Sequence, residues 1–126
     1  MDIYAKNILD HYQRPHNRRE MSSADSFSRE LNRSCGDEIT VYVKIKDGVV
    51  SAISFAGKGC AISTAAISIL SEELVGRNKD EILKMDIEDI RKILGIEISW
   101  RREKCAIIGL CALQGALKSL DISDKS

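Results

Sequence analysis

Residues Ile39 to Phe55 read ITVYVKIKDGVVSAISF. Ile39, Val41, Val43 and Ile45 alternate with Thr40, Tyr42, Lys44 and Lys46, and Val49, Ser51, Ile53 and Phe55 alternate with smaller residues. Such alternation marks half-buried strands, so the stretch predicts an antiparallel hairpin turning at Asp47-Gly48. A two-residue loop would pair Ile45 with Val50 and set Ile53 and Phe55 on the face of Thr40 and Lys44, wasting both apolar faces. A three-residue loop, Lys46-Asp47-Gly48, pairs Ile45 with Val49, Val41 with Ile53 and Ile39 with Phe55. That is the register expected, with Gly48 at positive φ. Extended past the strand ends, it sets residue 35 opposite residue 59 and brings Cys35 and Cys60 to one end of the hairpin.

Outward from the hairpin the period changes. After Gly57-Lys58-Gly59, Ile62, Ala65, Ala66, Ile69, Leu70 and Leu74 recur at helical spacing up to Gly76, which predicts an amphipathic helix with Cys60 at its N-terminus. Lys79 to Met85 and Ile87 to Leu94 read as two short helices, the first capped by Asn78 and the second stopped by Gly95. A last helix is expected from about Trp100 to Leu120, with Ala106, Leu110, Leu113, Ala116, Leu117 and Leu120 inward, Trp100 as a packing anchor, and close packing at Gly109 and Gly115. Upstream, Tyr4 to Tyr12 predicts a short helix ended by Pro15, and the polar stretch from Asn17 to Ser28 a mobile connection. The class is α+β, a small antiparallel sheet with helices on one face and a flexible N-terminal segment. A single domain over 1–126 is expected, with the helix and mobile segment in 1–28 and a flexible tail at 121–126.

Composition narrows the chemistry. The 126 residues hold 19 Lys+Arg against 19 Asp+Glu, so no basic stripe offers the counterion release that drives nucleic-acid binding. The apolar run Ala61 to Leu70 is far below the roughly 20 residues of a membrane span. The expectation is a cytoplasmic protein whose thiols stay reduced, with neither nucleic acid nor membrane as partner. A domain of this size buries a core without disulfides, so its four cysteines point to metal or thiol chemistry.

Cys35 opens the turn Cys35-Gly36-Asp37, which adds a carboxylate. Cys60 stands where helix amides stabilise a thiolate, and Cys105 follows Arg101, Arg102 and Lys104, cations that lower a thiol pKa. Three thiolates and a carboxylate suit tetrahedral zinc or an iron–sulfur cluster. Spacing alone is a weak signal, and each cysteine could equally be a small buried hydrophobe. Asp37 alone would read as a turn cap, Lys104 as a solvated charge and His11 as a packed or surface residue rather than a ligand. Cys111, six residues past Cys105, is turned away from that residue's side of the helix.

These segments together resemble the U-type iron–sulfur cluster scaffold family, which includes IscU, the N-terminal domain of NifU, and SufU. The likeness rests on Asp10-His11-Tyr12 with Pro15 and Asn17, on Asn32-Arg33-Ser34-Cys35-Gly36-Asp37, on Phe55 to Ser63 around Cys60, and on Arg102-Glu103-Lys104-Cys105-Ala106. It implies a third antiparallel strand near Ser28 to Arg33. It also implies a scaffold, not a turnover enzyme, that takes persulfide sulfur from a cysteine desulfurase, assembles a [2Fe–2S] cluster and passes it to acceptor apoproteins. By position Cys35, Cys60 and Cys105 would be ligands, with Asp37 a ligand or a modulator of lability, and the same site would accept a zinc or iron ion.

Cys105 is the expected persulfide acceptor, because its thiolate can attack a desulfurase persulfide. Lys104 stands where IscU carries a histidine and cannot coordinate while protonated, which leaves the fourth ligand to Asp37, Lys104 or a second protomer. Tyr4 is the candidate contact of a cluster-bound homodimer. Ile98-Ser99-Trp100-Arg101-Arg102 replaces the chaperone-binding Leu-Pro-Pro-Val-Lys of IscU, so no dependence on that chaperone is expected. Two alternatives follow from the same residues: a SufU-like zinc-dependent sulfurtransferase, favoured by the third cysteine motif, and a structural zinc domain.

Overall fold

A computed structural model describes the backbone of residues 3–34 and 36–124 and the side chains of 5–34 and 36–120. Strands β1 (Ser26–Asn32), β2 (Asp37–Lys46) and β3 (Val49–Lys58) form one antiparallel sheet in that order. Helices α1 (Ile3–Gln13), α2 (Ala61–Glu73), α3 (Lys79–Leu83), α4 (Ile87–Leu94) and α5 (Glu103–Asp124) complete the fold. The α+β class and the three-stranded sheet agree with the sequence reading. No helix among the described residues is long and apolar enough to cross a membrane.

The β2–β3 hairpin corrects the expected loop. Lys46 pairs with Val49 and Ile45 with Val50 across a two-residue Asp47-Gly48 turn, both residues at positive φ (55° and 77°). That backbone matches the twist of the flanking strands. The ladder then shifts between Ile45 and Lys44, which pairs with Ala52, so Ser51 is the extra residue of a bulge. Below it Val43 faces Ile53, Val41 faces Phe55 and Ile39 faces Gly57. The bulge removes the objection to a short loop: it turns Val50 inward while keeping Ile53 and Phe55 on the buried face, and leaves Ser51 exposed.

Ile39, Val41, Val43, Val50, Ile53 and Phe55 form the sheet's share of the core, beneath α2 and α5. The expected inward residues of α5, Ala106, Leu110, Leu113, Ala116 and Leu117, are fully buried, and Leu120 packs partly against the same cluster. A Cβ on Gly109 would stand 2.7 Å from Ile67, and one on Gly115 would stand 2.7 Å from Ser28 Oγ. The glycines therefore let α5 lie close against α2 and β1. Trp100 is not a packing anchor: α5 starts only at Glu103, and the indole, in the preceding turn, is 75% exposed with Arg101 stacked over it. Past Leu120, α5 continues to Asp124.

Helix α2 is buried from Ser63 through Ser71 because α1 covers the side that α5 does not. The stretch between α1 and β1 has no long regular element, yet it is tied to β3 and α2. Phe55 N–H donates to Asn17 O (3.0 Å), the Asn17 amide to Ser71 Oγ (2.9 Å), and Arg18 to Gly57 O (2.9 Å). At the far end, Arg91 of α4 pairs with Glu103 and fixes the first turn of α5.

Candidate metal centre

The start of β2 and the end of β3 meet at one edge of the sheet. Asp37 is the first residue of β2, entered through Gly36 at φ 72°, and Cys60, separated from the end of β3 by Gly59 alone, is the N-cap of α2. Cys105 lies in the first turn of α5, which packs against α2 and β2. The three donor atoms, one carboxylate oxygen and two Sγ, all lie within 4.8 Å of one another. Asp37 and Cys105 are buried, and Cys60 is partly exposed.

Two helix N-termini therefore converge on this point, and the positive ends of both favour anionic ligand atoms. Cys60 makes no side-chain cap; instead its backbone N–H donates to Asp37 Oδ1 at 3.0 Å. Ser63 Oγ donates to Cys60 O (3.1 Å) and lies 3.5 Å from Cys60 Sγ. Asp37 Oδ2 is buried with no hydrogen-bond partner among the described residues. A buried carboxylate oxygen left so is costly, and a cation held with the two sulfurs would compensate it. The donor set suits zinc or iron, because thiolates with one carboxylate match borderline-soft ions.

Gly57 makes the close approach of β2 and β3 next to this point. It sits at φ 118°, and a Cβ there would fall 2.0 Å from Glu38 O.

Of the residues singled out from sequence, the structure thus brings together Asp37, Cys60 and Cys105. Cys35 and the side chain of Tyr4 lie outside the described residues. Arg101, Arg102 and Lys104 are exposed. Lys104 lines a groove of about 300 Å³ with Glu30, Arg33, Ile108 and Cys111. Cys111 is apart from the three donors, and burial pushes its thiol above the ordinary value, with Glu30 adding to the rise. The sequence does not single out Ser63 or Arg91; Arg91 acts through a contact with Glu103 between two helices that no spacing rule announces. Ser63 was legible only as a residue one turn beyond Cys60.

The chain is similar to known proteins over nearly its full length. A family model described as the NifU-like N terminal domain matches residues 3–125. The iron–sulfur cluster assembly scaffold protein IscU of Thermotoga maritima is 38% identical over 91 residues, covering 72% of this chain and 63% of that protein's own length. The zinc-dependent sulfurtransferase SufU of Bacillus subtilis is 28% identical over 130 residues, 89% of this chain and 87% of the relative. A crystal structure of the N-terminal part of a NifU-like protein from Brucella abortus superposes with a TM-score of 0.77 at 21% identity, covering 95% of each chain.

Proposed function

Since the chain belongs to the NifU-like N-terminal domain family, we propose that it is a scaffold on which an iron–sulfur cluster is assembled and from which it is passed on. The cargo is a [2Fe–2S] cluster, its sulfur comes from a cysteine desulfurase, and its receivers are acceptor apoproteins. The observation that carries this reading is the convergence of Asp37, Cys60 and Cys105 with a carboxylate oxygen left without a partner among the described residues. Cys35, two residues before Asp37, completes the thiolate set. Three thiolates hold iron firmly, whereas a carboxylate is a harder and more labile partner, so the fourth position is where the cargo is released. The protein is a carrier without turnover of its own, and it works in the cytoplasm.

Cys105 takes the sulfur. Its thiolate attacks the terminal sulfur of the desulfurase persulfide, forming a new S–S bond and releasing the desulfurase cysteine as thiolate. Because Cys105 is buried, this step needs the turn before α5 to open, and the exposed Arg101, Arg102 and Lys104 beside it attract the anionic sulfur. A second protomer, meeting the first through Tyr4 and α1, supplies any ligand that one chain leaves missing.

Anaerobic reconstitution with a desulfurase, cysteine and ferrous iron tests the proposal. A visible-absorbing [2Fe–2S] species that is lost in Cys35→Ala, Cys60→Ala and Cys105→Ala supports it. Absence of that species in zinc-free protein refutes it.

A second reading, a zinc-dependent sulfurtransferase, is favoured by the three-donor set, which closes on a single tetrahedral ion as readily as on a cluster. It shares the name of the Bacillus subtilis relative. Desulfurase turnover raised by the zinc form, with no cluster formed, would select it.

A further inference from the structure

Both histidines of the chain stand together, in a cluster apart from that of Asp37, Cys60 and Cys105. His11 lies on α1, His16 follows it, and Glu72 is near the C-terminal end of α2, roughly 18 Å along that helix from Cys60 at 1.5 Å per residue. One ligand atom from each of the three lies within 4.8 Å of the others. We propose that His11, His16 and Glu72 form a second metal site, for a divalent ion of the zinc class, at the junction of α1 and α2.

The geometry is that of ligands held in place rather than of a chance surface cluster. His16 Nδ1 is 2.6 Å from Glu72 Oε1, and His11 Nε2 faces the same oxygen at 3.8 Å, beyond hydrogen-bond distance. The imidazole rings lie 4.4 Å apart, so two rings address one carboxylate oxygen. His11 is 7% exposed, and its other nitrogen, Nδ1, is 2.7 Å from Ser68 Oγ. A metal-binding histidine is oriented in this way by a partner on the nitrogen that does not bind, leaving the free nitrogen toward the ion. The same Ser68 hydroxyl accepts the backbone N–H of His16 at 2.7 Å, so one side chain of α2 positions both histidines. The next residue, Asn17, is held by Ser71.

Two imidazoles and a carboxylate are a zinc-type set with a fourth position for water. His16 and Glu72 are about half exposed, which leaves the ion a way in. Bound metal would pin the start of the α1–β1 connection onto α2. This site has nitrogen and oxygen donors only, and that separates it experimentally from the thiolate centre whatever cargo the latter carries.

The test is anaerobic titration of metal-free, reduced protein with Co²⁺. Two equivalents are expected: one with the near-ultraviolet charge-transfer band of thiolate ligation, the other with d–d absorption alone. His16→Gln and Glu72→Gln, both at half-exposed positions, should abolish the second and keep the first, whose band also reports that the variant is folded. Ser68→Ala should weaken the second by about 10- to 100-fold. Uptake of cobalt at the thiolate centre alone overturns the proposal, as does a second equivalent that survives both His16→Gln and Glu72→Gln and marks the cluster as a hydrogen-bonded clamp.

Discussion

Asp37 caps the helix that Cys60 begins: the backbone N–H of Cys60 donates to Asp37 Oδ1 at 3.0 Å, while Cys60 itself offers α2 no side-chain cap. One carboxylate thus joins the first residue of β2 to the N-terminus of α2, and its second oxygen has no hydrogen-bond partner among the described residues, which leaves it for the proposed metal centre.

The two roles of Asp37 separate in a pair of variants. Asp37→Ala removes the cap and should destabilise the metal-free protein by about 1–2 kcal/mol, whereas Asp37→Asn keeps an oxygen for the Cys60 N–H and should cost less. Both should weaken zinc binding by tenfold or more, since an amide is a poor ligand. Urea unfolding and a chromophoric chelator competition measure the two effects independently.

Gly57→Ala should be among the most damaging single changes near the site. The new Cβ would meet Glu38 O at 2.0 Å in a backbone conformation at φ 118° that alanine disfavours. A loss of at least about 2 kcal/mol is expected in urea unfolding, from left-handed strain together with overpacking.

His11 makes stability depend on pH. Burial, with His16 beside it, holds its pKa below the ordinary 6.5 despite the opposing pull of Glu72 and Asp10. On acidification the unfolded chain takes up the proton first, so this contribution is whole above about pH 6.5 and is lost progressively as pH falls toward the lowered native value. In zinc-free protein the His11 ring resonances should titrate below 6.5. The urea midpoint should drop between pH 7 and 5.5, and a rise over that range would contradict the assignment.

Metal removal should leave the fold standing. The core is apolar and continuous, from Ile39 on the sheet to Leu117 on α5, and does not require an ion to assemble. Chelated protein should keep its far-ultraviolet dichroism and unfold cooperatively, and zinc at a hundredfold excess over its Kd should add about 2.7 kcal/mol. Unfolding on chelation would instead identify a structural zinc domain.

Much of this was legible from the chain alone, where a local signal was strong. The end of α4 follows from Gly95, which stands in the left-handed region, whereas the reciprocal cap of Asp86 and Asp89 at its start was not read. The apolar stripe of α5 follows from periodicity. The hairpin pointed to Cys35 beside Cys60 at its open end, whereas the contact found there is between Asp37 and Cys60. The bulge at Ser51 was not legible, because an unbroken ladder forces a choice between loop length and face, and a bulge satisfies both. The burial of α2 on all sides was missed for a similar reason. The sequence predicts an amphipathic helix, but Ser68 and Ser71 are the partners of His11, His16 and Asn17, which arrive from a segment more than fifty residues away in sequence. Trp100 looked like core by residue type alone, and only the start of α5 at Glu103 puts it outside.

The central claim is that the thiolate centre carries an iron–sulfur cargo. It is tested most directly by the iron, zinc and acid-labile sulfide content of protein isolated and handled without oxygen from iron-replete cells. The account predicts iron and sulfide in equal amounts, both lost together in Cys60→Ala and Cys105→Ala. Stoichiometric zinc with no sulfide in the same preparation, persisting after incubation with a desulfurase, cysteine and ferrous iron, would contradict it.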